Sequence, residues 1–210
     1  MVIQCIPNGL VQSNVYLVSE NGKGVMIDCG CPPEKVLEAA GSKDIEIKHV
    51  ILTHGHFDHI YYIDQLRGFI DVKVHIHEND AECLSDPNMN GLAHFPVQGS
   101  FTFKAADNLL KDGDTIECSG LLFKIIHTPG HTKGGICILV NNVLFTGDTL
   151  FNASIGRTDF PGGSMSQIVK SIKQKLYTLP DDTTVYPGHG IKTTIGYEKR
   201  NNPFCRADDN

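Results

Sequence analysis

The hexapeptide His54-Gly55-His56-Phe57-Asp58-His59 places three imidazoles and a carboxylate within six positions. Neutral imidazole and carboxylate are good donors to zinc, iron or manganese, and no thiolate is needed. The same groups recur in three later turns, each directly after an apolar run: His131 in "TPGHT", Asp148 in "FTGDT" and His189 in "YPGHG". Singly, a His or Asp beside glycine is ordinarily a turn residue. Seven of them at strand ends, where α/β proteins gather functional loops, are enough for two four-coordinate metal ions sharing one carboxylate.

These groups need elements that aim them. Alternation along a strand would set His54, His56 and Asp58 on one face and His59 on the other. On a helix only His56 and His59 would converge. Segment 54–59 is therefore predicted to be a loop at the C-terminal end of a buried strand over "IKHVILT". Asp58 then falls near the start of a helix over "DHIYYIDQLRG", where its competing role is a cap.

Upstream, "SNVYLVSE" and "GVMIDCG" read as a hairpin turning at Asn21-Gly22, and "PPEKVLEAAG" as a short helix. "VKVHIH" reads as a further strand and residues 85–100 as a long loop. "FTF", "DTIEC", "LLFKIIHT", "GGICILV" and "NVLFTGD" follow as strands. "SMSQIVKSIKQKLYTL" is an amphipathic helix, with Ile168, Ile172 and Leu176 on one face and Ser164 as its N-cap. "TTVYPGHG" is a last strand running into a loop. Strands followed by a helix occur once in each half, which predicts an α/β sandwich of two packed sheets flanked by helices.

The 210 residues suit one domain, taken as 1–210. A net charge of -6 argues against nucleic acid as a partner. The seven cysteines form no Cys-x-x-Cys, and the scattered ones read as small buried apolar residues in a reducing compartment. No run is long enough for a membrane span, and the N-terminus lacks the pattern of a signal peptide. A cytoplasmic protein with no membrane partner is expected. His75, His77 and His127 read as structural, and Asp28, beside Cys29-Gly30, as a turn residue.

The series His54-x-His56-x-Asp58-His59 with His131, Asp148 and His189 resembles the metallo-β-lactamase superfamily over almost the whole chain. The resemblance implies an αβ/βα four-layer sandwich of two mixed β-sheets with two divalent metals at one edge, zinc foremost and iron or manganese as alternatives. His54, His56 and His131 would hold one metal; Asp58, His59 and His189 would hold the other; Asp148 would bridge. Two metals about 3.5 Å apart act as a clamp on an in-line displacement, and a metal lowers the pKa of water from about 16 towards 7. Asp58 would also orient the nucleophile, and Asp28 would support the metal-ligand loop. The superfamily often has glycine two positions after the last motif histidine; Tyr61 stands there, and its ring is expected to narrow the site.

The segment "GDTLFNASIGRTDFPGGS" and the ending "PGHGIKTTIGYEKRNNPF" resemble the glyoxalase II branch, in particular a short bacterial form. That implies a hydrolase cleaving a small-molecule thioester such as a hydroxyacylglutathione, with Arg157 binding a carboxylate of the thiol carrier. The chain departs from longer members, which carry a helical C-terminal domain and place an aromatic residue where Asp159 stands. The alternative is a mono-iron persulfide dioxygenase of the same superfamily, with iron held by His54, His131 and Asp148. A β-lactamase and a metallo-nuclease are disfavoured by loop context and charge.

Overall fold

The computed structural model describes residues 1–7, 9–94 and 102–207. Its first sheet contains β1 (Val2–Ile6), β2 (Val15–Glu20), β3 (Lys23–Ile27), β4 (Glu46–Ile51), β5 (Lys73–His77) and β6 (Asn108–Leu110), neighbours in that order. The first three strands are antiparallel, and β3 to β6 run parallel. The β2–β3 turn has positive φ at both Asn21 (48°) and Gly22 (73°), the geometry that Asn-Gly favours in two-residue hairpins. Parallel neighbours require crossovers. Helix α1 (Pro33–Gly41) joins β3 to β4; α2 (Phe57–Ile60) and α3 (Ile63–Phe69) join β4 to β5.

The second sheet starts with the meander β7 (Thr115–Cys118), β8 (Leu121–His127), β9 (Ile136–Val140) and β10 (Val143–Gly147). A small hairpin, β11 (Leu150–Phe151) with β12 (Ser154–Ile155), and helix α4 (Met165–Gln174) lead to β13 (Thr184–Pro187), which returns parallel to β10. Strand β14 (Thr193–Thr194) and helix α5 (Ile195–Asn201) follow, and the sheet order is β14-β13-β10-β9-β8-β7.

Three apolar layers result. Alternation along β2 sends Val15 and Leu17 towards the helices of the first half, and Tyr16 and Val18 between the sheets, where they meet Phe123, Ile125 and Phe145. On the far side of the second sheet, Ile168, Ile172 and Leu176 pack on Cys137, Leu144 and Val185. The two mixed sheets flanked by helices are thus the expected four-layer sandwich. Ser164 caps α4 as expected, its hydroxyl accepting from the Gln167 amide. Ile172 is fully buried, so its truncation to alanine would cost about 2–5 kcal/mol.

Several elements differ from their sequence reading. The helix expected over 58–68 is two helices. The carbonyls of Asp58 and His59 are taken by the Ser13 hydroxyl and the Cys29 amide, and the Tyr62 amide donates to Cys29 O instead of one turn back. Tyr61 turns away from the site, edge-on to Tyr62 and Phe103, so it does not narrow it. The helix expected to reach 179 stops at Gln174 and continues as a 3-10 turn over Leu176–Thr178. Of the expected 85–100 loop, residues 85–94 are turns and bends ending in a 3-10 turn over Leu92–His94, while residues 95–100 and residue 101 lie outside the described residues; Thr102 and Phe103 of "FTF" are not in a strand. Strands β1, β6, β11, β12 and β14 and helix α5 were not anticipated. Among the described residues, no helix is long and apolar enough to cross a membrane.

His75 and His77 lie in β5 as structural groups. His75 Nε2 faces His49 Nδ1 at 3.0 Å, and His77 stacks on His127 with ring centroids 3.9 Å apart. Burial, and then the neighbouring imidazole, lowers both to about 4, against weaker upward pulls from Asp107 on one and from Glu78, Asp112 and Asp114 on the other. Both rings are therefore neutral in the fold at a pH where the unfolded chain, with an ordinary value near 6.5, takes up protons. Stability should fall as pH drops from about 6.5 to about 4. Unfolding midpoints in urea across that range check this, and a His75→Gln/His77→Gln protein should show a shallower decline than the parent.

Candidate metal centre

The seven side chains singled out by spacing meet at one edge of the sandwich. His54, His56, Asp58 and His59 follow β4, His131 follows β8, Asp148 follows β10 and His189 follows β13. One donor atom from each of His54, His56 and His131 lies within 4.8 Å of the others, and the same holds for Asp58, His59 and His189 and for His54, His59 and Asp148. Asp148 stands between the first two groups. Its Oδ1 is 3.4 Å from His59 Nε2, and its Oδ2 is 3.5 Å from His131 Nε2 and 3.6 Å from His189 Nε2. As placed, Asp58 does not act as a helix cap. His56 occupies the N-cap position of α2, and Asp58 Oδ2 lies 3.1 Å from His189 Nε2.

The donor set fits metal. His54 Nε2, His56 Nε2 and Asp148 Oδ1 are buried without a hydrogen-bond partner among the described residues. Each such group costs about 1–3 kcal/mol unless something satisfies it. Two imidazole nitrogens, His56 Nδ1 and His131 Nε2, face each other at 2.8 Å. The set of histidine and carboxylate donors is that of a dinuclear site. Burial, then the adjacent imidazoles, keeps His54 far below its ordinary value and His56 at about 3. For His59 burial pulls the same way, but Asp58, Asp28 and Asp148 outweigh it and hold the ring well above its usual range. Burial would raise Asp148, yet His59 and His131 hold it well below the carboxylate range.

Other residues hold the donors in place. Asp28, itself in a left-handed conformation with φ 63°, accepts from Thr53 N at 2.7 Å and from the Thr53 hydroxyl, and its Oδ2 meets His59 Nδ1 at 2.8 Å. Asp28 thus stands where the sequence reading put it. His131 Nδ1–H donates to Arg157 O at 2.7 Å, which leaves Nε2 for a ligand. The Asn14 amide donates to Pro187 O and Gly190 O, bracketing the His189 turn. That turn needs Gly188: a Cβ there would fall on Asp148 Oδ1 and lie 2.8 Å from His59 Cε1. Ser13, Asn14 and Thr53 were not identified from sequence, since nothing local marks a residue whose partner lies 25 or more positions away.

Above the donors lies a cavity of about 350 Å³ whose floor includes His56, Asp58, His131, Asp148 and His189. Phe57, Phe151, Ile155 and Phe160 supply apolar walls, and Val11 and Arg157 stand in its lining. Arg157 is exposed and forks onto Asp159, with Nε–Oδ1 and Nη2–Oδ2 both at 2.6 Å, while its guanidinium carbon lies 4.0 Å from the Phe160 ring centre. That pairing holds Asp159 at about 2.

Fold and site define a metal-binding α/β sandwich, and the comparisons name its family. The sequence pattern of the Metallo-beta-lactamase superfamily matches residues 8–189. The chain belongs to that superfamily. It is 35% identical over 210 residues to the hydroxyacylglutathione hydrolase GloC of Haemophilus influenzae, covering 99% of each chain. Among solved structures, the B3 metallo-beta-lactamase BLEG-1 superposes with a TM-score of 0.91 at 35% identity, over 97% of this chain and 99% of that one. ETHE1 from Myxococcus xanthus superposes at 0.80 with 32% identity, over 97% and 84%.

Asp28→Asn should keep the fold and weaken metal binding about 10–100-fold, the usual cost of removing a carboxylate that orients a ligating histidine. Competition against a chromophoric chelator measures this directly.

Proposed function

We propose that the protein is a metal-dependent hydrolase that cleaves a small-molecule thioester, with a hydroxyacylglutathione as the type of substrate. The observation that carries this reading is the pair of complete donor groups with Asp148 between them, both opening into one cavity. The metals would supply Lewis acidity and a water acidic enough to act as a nucleophile at neutral pH. His54, His56 and His131 would hold one; Asp58, His59 and His189 the other; Asp148 both. Zinc is our first assignment, and iron or manganese would suit the same donors.

The remaining work falls to the chain's own side chains. Asp58 lies in the cavity floor, and its carboxylate would accept a hydrogen bond from the attacking water and orient it. With substrate filling the cavity, the apolar walls would limit the access of bulk water and so strengthen the charge interactions at the floor. Arg157 is our candidate for a carboxylate of the thiol carrier; to serve, it exchanges Asp159 for the substrate. The relationship to GloC supports the thioester. The second reading, a mono-iron persulfide dioxygenase, is fitted equally by the likeness to ETHE1.

Metal analysis of natively purified protein, with thioester hydrolysis and oxygen uptake assayed together, separates the two. We expect two metals per chain and hydrolysis without oxygen consumption. One iron and oxygen uptake with a persulfide would establish the dioxygenase instead. Opening of a β-lactam belongs in the same series because of the likeness to BLEG-1.

Asp58→Ala should abolish most hydrolysis while leaving the melting temperature of the metal-free protein within a few degrees; full turnover in the well-folded variant would remove Asp58 from the chemistry. Arg157→Ala should raise KM for a glutathione thioester more than it lowers kcat, because the contact is remote from the reacting carbonyl. A simple thioester without carboxylates should be hardly affected. Equal losses on both substrates would make Arg157 a brace for its loop.

A further inference from the structure

One buried carboxylate has no part in the site as described. Asp80, in the 3-10 turn Glu78–Leu84 that follows β5, is 1% exposed. Its Oδ2 accepts from the amide of Gly55 at 3.0 Å and from the hydroxyl of Thr132 at 2.7 Å, and its Oδ1 accepts from the amide of Gly134 at 2.6 Å. Gly55 lies between His54 and His56, and Thr132 follows His131. The carboxylate therefore ties together two turns that lie 75 residues apart in sequence between His56 and His131. Gly134 is shaped to it: a Cβ there would lie 2.6 Å from Asp80 N and 2.7 Å from its Cγ and Oδ1. Burial pushes the Asp80 carboxyl up, against the pull of these three bonds. Two of the three partners are backbone N–H groups that can only donate, which an acceptor-only carboxylate matches best.

We propose that Asp80 is a positioning residue: it sets the separation of the His54–His56 turn from the His131 turn, and so the metal affinity of the three-histidine position. The other position has separate supports. Asp28 holds His59, the Ser13 hydroxyl holds Asp58 O, and Asn14 holds the backbone around His189. Loss of Asp80 should accordingly weaken one metal and spare the other. This rests on the reading that the donor groups take metal, and the test separates the two ideas.

The test titrates zinc(II) alone into metal-free protein, following the imidazole resonances of His54, His56 and His131 against those of His59 and His189 by NMR. Amide hydrogen exchange at Gly55 and Gly134 is measured in the metal-free state. Asp80→Asn keeps size, but its NH2 edge must face a donor. We expect zinc at the three-histidine position to weaken about 10–100-fold, with less than about threefold change at the other, and faster exchange at both glycines. Thr132→Val removes one of the three bonds and should give a smaller loss at the same position. Equal weakening at both positions, or unchanged affinity despite lost protection, overturns the proposal. Should the parent protein bind no zinc, the metal reading fails on its own; faster exchange at both glycines in Asp80→Asn then upholds the tie, and exchange changed at one or neither overturns it.

Discussion

Seven imidazoles and carboxylates packed at one edge of the sandwich cannot all keep the protonation they have in water, and the rest of the architecture answers to that. Burying charge costs several kcal/mol per group unless it is paired or bound to metal. Here Asp58 and Asp148 are arrayed around His59, and His54 and His56 are driven neutral. The two carboxylates and the two neutral imidazoles are attractive to a dication, which would take the place of the proton held among them at His59. The set stays assembled because the scaffold holds donors from behind, His59 through Asp28, His131 through Arg157 O and the Asp58 and His189 backbone through Ser13 and Asn14.

The scaffold meets that demand through strand ends. Strands β3, β4, β8, β10 and β13 all finish at the same edge, and the turns after them carry Asp28, the His54–His59 segment, His131, Asp148 and His189. Rigid strands fix where each turn begins; carboxylates and amides then fix how it bends. Asp28 and Asp80 do equivalent jobs after β3 and β5, the two parallel strands that flank β4 in the first sheet. Each takes backbone and hydroxyl donors from a turn it does not belong to. Glycine at 188 makes room for His59 and Asp148 to approach. Catalytic geometry of this kind depends on placement within fractions of an ångström, which explains why so many unreactive residues are committed to it.

The cavity has a different character from its floor. Phe57, Phe151, Ile155 and Phe160 line it, and Phe160 lies edge-on to His56 while Phe151 lies edge-on to His189. Val11 reaches the lining in a left-handed conformation, φ 53°, which a β-branched side chain adopts only at a cost. The loop bearing it is held by Ser13 and Asn14 against the turns of Asp58 and His189, so donors and rim are built as one unit.

The sequence by itself determined the donor types and their order, the hairpin at Asn21-Gly22, the periodicity of α4 and the placement of each donor after an apolar run. These are local: periodicity and turn chemistry act over a few residues, and a cluster such as His54–His59 is visible without a fold. What only the tertiary structure decided is non-local. The helix after His59 breaks at Tyr61–Tyr62 because Cys29 and Ser13, distant in sequence, take its hydrogen bonds. Arg157 is turned onto Asp159 and Phe160, a choice among partners that spacing leaves open. The short strands β6 and β14 exist because a sheet edge beside them offers partners; three or two residues carry too little pattern to announce themselves. Asp80 looked like one acidic residue among many, and its meaning lies in the two turns that the packed sheets bring to it.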